Sequence, residues 1–428
     1  GVAEPLTITV YPTKARGLPV PTIGILQPMT PVLRRTIPVM PGTPAAAAEP
    51  RFQPGDRIVA IDGKPIDDYA QIHRMLALNP DKTLSITVQR GKAAKSGDRR
   101  ESSPASAERL TIPVAPAPVR QLGMSMKMGK VTAIQTHGPA QAAGIAPGDT
   151  ITKIDGEPVG DPMTLPDRIR IRAWKEPPGT AVTLTVIRPD KPGPVDIRVP
   201  LRRPDSFESS LFPGDPVAVP ALGIAYEVSG EVAAVDAGGP AAKAGLKPGD
   251  VIVYVKLVPP PEESVRQLAY GEQYLDLGLN VPITFDLKKA PNGWPAAVEW
   301  LQNLLPGGKV ELTLADRDDK PVELQPVDAI GWFQPERGFR PEAKTFFSGG
   351  QSLALAMRLG TRETMDSLTI VYRFLGKLGT RQVDATAFGG PLSIFDMAYQ
   401  FANKGFADLL IFLTIIGANL AVINFLPI

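Results

Sequence analysis

The chain has 428 residues, too many for one hydrophobic core, so about two to four domains are expected. A 43% hydrophobic and 21% charged composition describes folded material, and a net charge of +2 gives no electrostatic reason to expect nucleic acid as a partner. Cysteine is absent and the histidines are His73 and His137, so neither a disulfide framework nor a familiar zinc ligand set can be assembled, and no catalytic or metal-binding residue is assigned within the chain.

Residue 1 is Gly, and PLTITVYP soon after it reads as a strand rather than a leader. The front is therefore expected to be cut, with residues 1–20 closing an earlier repeat. Next comes TIGIL around Gly24, then FQPGD ending at Asp56, the helical stretch DDYAQIHRMLAL and the alternating strand TLSITVQR. The same order returns twice, roughly every hundred residues. QLGMS around Gly123 precedes GPAQAAGIAPGD, TLPDRIRIRAW and AVTLTVIR; ALGIA around Gly223 precedes GPAAKAGLKPGD, WPAAVEWLQNLL and KVELTLAD. Period-two alternation in the strands means one buried and one wet face, and each helix is apolar along one side. Closing strands follow in RLTIPVAP, VDIRVPL and VELQPV.

These units resemble PDZ domains of the bacterial kind, on the Gly-hydrophobic loop, the GPAxxAG-xxPGD run, the IDG turn and the late helix. The expected repeats are 21–115, 120–203 and 220–328, the last with an insertion over 257–292. The resemblance implies partly open β-barrels in an α+β chain, and β-addition of a peptide beside loops whose NH groups hold a terminal carboxylate. Gly24 with Ile25, Gly123 with Met124 and Gly223 with Ile224 are the candidates, glycine allowing close backbone approach. A loop closed by a neighbouring domain would bind nothing. The Pro-Gly-Asp aspartates read as turn residues that satisfy nearby NH groups, not as acid-base or metal groups. His73 reads as a solvent-facing helix residue, and His137 receives no role.

The remainder, 345–428, reads as a membrane-associated helical region. TRETMDSLTIVYRFLGKLGTR, from Thr361 to Arg381, is helical in pattern but interrupted by charge, as at a headgroup interface. From Leu409 to Ile428 no residue is charged, and Asp408 marks the polar edge. A run of about 20 such residues spans the ~30 Å of a bilayer core, which predicts a transmembrane helix near 408–428. Asn419 and Asn424 are costly in lipid and are expected to look toward protein or a cavity. AFGGPLSI resembles the segment after a serine-protease nucleophile, but Phe388 stands where the serine would be and Ser348 lacks a partner base, so serine catalysis is rejected.

PDZ repeats followed by FGGPLSI and then ANLAVINFLPI resemble the site-2 protease family of intramembrane zinc metalloproteases. Asn424, Phe425, Leu426, Pro427 and Ile428 match the start of that family's N-x-x-P-x-P-x-L-D-G motif. The resemblance implies zinc-dependent cleavage of membrane-protein substrates, or of their cleaved ends, in the cytoplasmic membrane, with the PDZ repeats extracytoplasmic and gating access. It also implies that HExxH and the LDG aspartate lie outside this chain, which would be inactive alone, and that Asn419, Asn424 and Pro427 sit near the active site. The alternative is a non-catalytic, membrane-anchored PDZ scaffold that binds peptide C-termini.

Overall fold

The computed structural model describes residues 28–91, 108–204, 214–317, 320–344, 391–404 and 406–425, with scattered positions between 352 and 369. The chain divides into two compact units, 26–344 and the combination of 1–25 with 345–428.

Within 26–344 the first repeat holds β1 (Met29–Leu33), α1 (Pro44–Ala47), β2 (Arg57–Ile61), β3 (Lys64–Pro65), α2 (Tyr69–Leu78), β4 (Leu84–Arg90) and β5 (Glu108–Val114). The second holds β6 (Ala117–Gln121), β7 (Met124–Ile134), α3 (Pro139–Ala143), β8 (Thr150–Ile154), β9 (Glu157–Pro158), α4 (Leu165–Lys175), β10 (Ala181–Ile187) and β11 (Pro194–Pro200). The third begins with β12 (Val217–Val219), β13 (Ile224–Val235), α5 (Pro240–Lys243) and β14 (Ile252–Val258), and its insertion forms α6 (Glu262–Arg266), α7 (Gly271–Asp276) and β15 (Ile283–Asp286). After α8 (Trp294–Leu301) come β16 (Lys309–Leu314), β17 (Val322–Leu324), β18 (Val327–Gln334) and β19 (Pro341–Ala343).

The alternation in the sequence is realised: Leu84, Ile86 and Val88, then Val182, Leu184 and Val186, then Val310, Leu312 and Leu314 are all buried. On the late helices, Ile72 and Leu76, Leu165 and Ile169, and Ala297 and Leu301 face the core. Asp68 caps the first of these helices by accepting the Gln71 NH. The sheet orders are β19-β1-β2-β4-β5 with β3 beside β2, β11-β10-β8-β9, and β15-β14-β16-β17. None of them closes on itself among the described residues, so no closed barrel is found there.

Two smaller sheets tie the repeats together. β13 pairs along its length with β7, and β12 lies on its other side; β18 pairs with β6. One apolar cluster accordingly runs through the second and third repeats without a break, from Leu122 to Leu324. The insertion reaches the first repeat instead. Val265, Tyr274 and Leu305 pack with Ile37, and the Tyr270 hydroxyl donates to the Phe52 carbonyl.

The other unit contains α9 (Pro391–Lys404) and α10 (Phe406–Phe425), joined by stacking of Phe401 on Phe412 at 5.1 Å. Leu410, Ile411, Leu413, Ile415 and Leu420 of α10 are exposed. Among the described residues no helix is long and apolar enough to cross a membrane, so the span expected near 408–428 is not confirmed. Most of 361–381 lies outside the described residues.

Candidate functional site

Three loops have the same hydrogen-bond pattern. The carbonyls of Leu222 and Gly223 accept the NH groups of Ala140 and Gln135; those of Leu122 and Gly123 accept from Ala241 and Asp236; those of Arg337 and Gly338 accept from Ala45 and Met40. Each glycine has a left-handed φ, +72° at Gly123, +74° at Gly223 and +94° at Gly338, which a side chain would strain. At Gly338 a Cβ would also lie 2.0 Å from the Thr43 hydroxyl.

The partners in these bonds show that no described loop completes the repeat it opens. Gly223 and Ile224 dock on the second repeat, where Ile224 faces Ile134; Gly123 and Met124 dock on the third, where Met124 faces Val235. The first repeat is completed from the far end of the chain, by β19 against β1. Sequence reading did not find the Arg337-Gly338-Phe339 loop, because its first position is charged where the others carry leucine. Gly24 and Ile25 lie outside the described residues.

The loops differ in what their NH groups do. Those of Leu222 and Gly223 both donate to the Val219 carbonyl, at 3.0 and 2.9 Å. Among the described residues those of Leu122 and Gly123 have no acceptor, although both residues are buried. Buried NH groups in native folds are almost always paired, so these two donors could serve an acceptor from outside the described residues. The segment before each loop accounts for the difference. β12 folds back on β13, whereas β6 turns away to β18, held by Gln302, which accepts the Arg120 NH at 2.9 Å and donates to the Arg120 carbonyl at 3.1 Å.

The Pro-Gly-Asp aspartates are structural. Asp56 and Asp149, each 1% exposed, accept the NH groups of Gln53 and Ala146. Each is also gripped by both branches of a guanidinium, Arg90 at 2.9 and 2.7 Å and Arg188 at 2.9 and 3.1 Å. The hydrogen bonds that the guanidinium groups donate to the aspartates raise both arginine pKa values. Asp250 repeats the arrangement more loosely, with Arg317 at 3.3 Å.

His73 is not the solvent-facing residue expected: its side chain is 19% exposed and its Nε2 lies 3.6 Å from the Glu336 carboxylate. It lines a cavity of about 150 Å³ with Asp167, Arg170, Gln302 and Trp332, where the Trp332 indole donates to Asp167 at 2.9 Å. That volume is below the ~300 Å³ at which ligand pockets begin, so the cavity reads as a seam between elements. Near the second repeat's short turn, burial pushes Asp161 up to about 6. His137 occupies a left-handed turn, its NH bonded to Gln141.

Asn419 and Asn424 lie on α10, but their side chains fall outside the described residues, as does Pro427 entirely. Among the described residues no three His, Cys, Asp or Glu side chains could hold a metal ion together. With both histidines in separate repeats and no thiolate, the described residues do not fit zinc.

Open sheets completed by a loop with a left-handed glycine, a buried aspartate-arginine turn and a late helix define PDZ domains. A PDZ domain model matches residues 37–90, 130–188 and 231–255. Among similar proteins, one of Neisseria meningitidis named as a zinc metalloprotease is 26% identical over 304 residues, covering 68% of this chain and 58% of its own length. The regulator of sigma-E protease RseP of Escherichia coli is 28% identical over 159 residues, 34% of each chain. A DegP-like periplasmic serine endoprotease of Brucella suis is 32% identical over 166 residues, 35% of this chain and 32% of its own. Together with the PDZ matches, the metalloprotease relatives make the chain similar to an RseP-like site-2 protease with PDZ domains. It spans 58% of the Neisseria relative and about a third of the other two.

Proposed function

We propose that this chain is the PDZ-bearing part of a membrane-embedded zinc metalloprotease that cleaves transmembrane substrates, its PDZ domains docking substrate or gating access. The observation that carries the reading is the order of its parts, PDZ domains, then FGGPLSI, then the apolar NLAVINFLPI, in a chain similar to zinc metalloproteases. The apolar side chains exposed along α10 support a lipid-facing role, since an apolar helix surface needs cover. Zinc would supply an activated water. Its ligands are assigned outside this chain, with Asn419, Asn424 and Pro427 near the active site, the cytoplasmic membrane as location and the PDZ domains on its outer side. The serine-protease likeness does not extend to chemistry, because Phe388 holds the nucleophile's place.

The NH groups of Leu122 and Gly123, without an acceptor among the described residues, favour a second reading, a membrane-anchored scaffold that binds peptide C-termini without cleaving them. One assay separates the two. The gene's whole product, in membrane vesicles with a single-span model substrate, is expected to release a fragment cut within the membrane. Phenanthroline should abolish the cut and added zinc restore it. Persistent absence of the fragment, with peptide binding intact, would leave the scaffold.

A further inference from the structure

We propose that the peptide groove of the second PDZ domain is occupied by the chain itself, with Val217–Val219 standing where the last three residues of a bound peptide would lie. The inference rests on the reading of these loops as peptide-docking sites. β12 runs antiparallel to β13, with Val217 opposite Tyr226 and Val219 opposite Ile224. The other edge of β13 is taken by β7, where Ala225 faces Ala133, so over Ile224–Tyr226 neither edge is left for an added strand. Behind β12 stands α4, the late helix of the same domain. Val217 and Val219 are buried in one cluster with its Leu165 and Ile169. A strand held between a sheet edge and a late helix is how a PDZ domain takes a peptide.

The end of β12 completes the likeness. The Val219 carbonyl accepts both the Leu222 and the Gly223 NH, the two bonds that a terminal carboxylate would accept from this loop. Because Val219 is tethered to the loop by only a few residues, its effective concentration there is on the order of millimolar, and a weak external peptide cannot displace it. The Leu122–Gly123 loop shows the opposite state. Its leading strand β6 is bound to β18 and Gln302, and its NH groups stay without an acceptor among the described residues.

Hydrogen exchange tests this on the full chain in detergent micelles, read residue by residue by mass spectrometry. Without peptide, the Leu222 and Gly223 amides should exchange at least ~30-fold more slowly than those of Leu122 and Gly123. The probe is the pentapeptide Asp-Pro-Val-Ala-Val, which copies residues 215–219 and carries a free carboxylate; its amidated twin is the control. The free peptide should slow Leu122 and Gly123 and leave Leu222 and Gly223 unchanged. In Val219→Asp the latter pair should exchange as fast as the former; should that variant not fold, the unmodified chain still decides. Equal rates at the two loops without peptide, or further slowing at Leu222 and Gly223 with it, would overturn self-occupancy. Slow exchange at Leu222 and Gly223 with no peptide effect at either loop would overturn the peptide-docking reading and with it the assignment of β12 as an occupant, whereas the other two results overturn self-occupancy alone.

Discussion

Arg337→Leu is expected to lower the stability of the 26–344 unit by about 3–5 kcal/mol in urea unfolding. Leucine is what the other two loops carry at this place, as Leu122 and Leu222, so the loop itself should tolerate it. The loss comes from what the guanidinium does. Arg337 is 0% exposed and donates to the carbonyls of Val114 at 2.5 Å, Asn79 at 2.8 Å and Lys82 at 2.6 Å. Asn79 is the C-cap of α2, where helix carbonyls lack intrahelical partners. Burial pushes the group down to about 10, with Asp62 and Asp81 opposing the shift, so it stays charged at neutral pH. A stability change below about 1 kcal/mol would show that water replaces the guanidinium at those carbonyls.

Asp149→Ala is expected to cost a similar ~3–5 kcal/mol, because it leaves Arg188 facing a buried site without its carboxylate and frees the Ala146 NH. The same change at Asp250 should cost only about 1 kcal/mol, since that side chain is 12% exposed and its single contact to Arg317 is 3.3 Å. The gradient is the test. Equal losses at the two sites would mean that the turn NH groups, common to both, carry the effect and the arginines add nothing.

Much of each repeat was legible because its signals are local. The alternation in TLSITVQR becomes Leu84–Arg90, and Asp68 caps the helix that DDYAQIHRMLAL predicts. The aspartates were rightly read as turn residues. Their arginines were missed, although Arg90, Arg188 and Arg317 each stand at or just past the end of the strand that follows the repeat's late helix, a position that was available to read.

What could not be read was which loop completes which repeat. β7 and β13 carry the same kind of apolar alternation, and a strand pairs as readily with a look-alike from another repeat as with its own neighbour. Only the three-dimensional arrangement decides, and it sends the Gly123 loop to the third repeat and the Gly223 loop to the second. The insertion was visible as an interruption, but its contact with Phe52 is a tertiary fact with no local signature. The Arg337 loop escaped because a buried arginine looks like a surface residue in sequence.

The exchange of completing strands between the second and third repeats is tested most directly by a cysteine pair, which the natural absence of cysteine makes clean. Ala133 and Ala225 face each other across β7 and β13, within the roughly 4.5–5.5 Å Cβ separation of directly opposed strand residues. Ala133→Cys combined with Ala225→Cys should close an intrachain disulfide on mild oxidation, seen by intact mass and by faster migration of the monomer. Cysteines that stay reduced, or that join only separate chains, would contradict the exchanged arrangement.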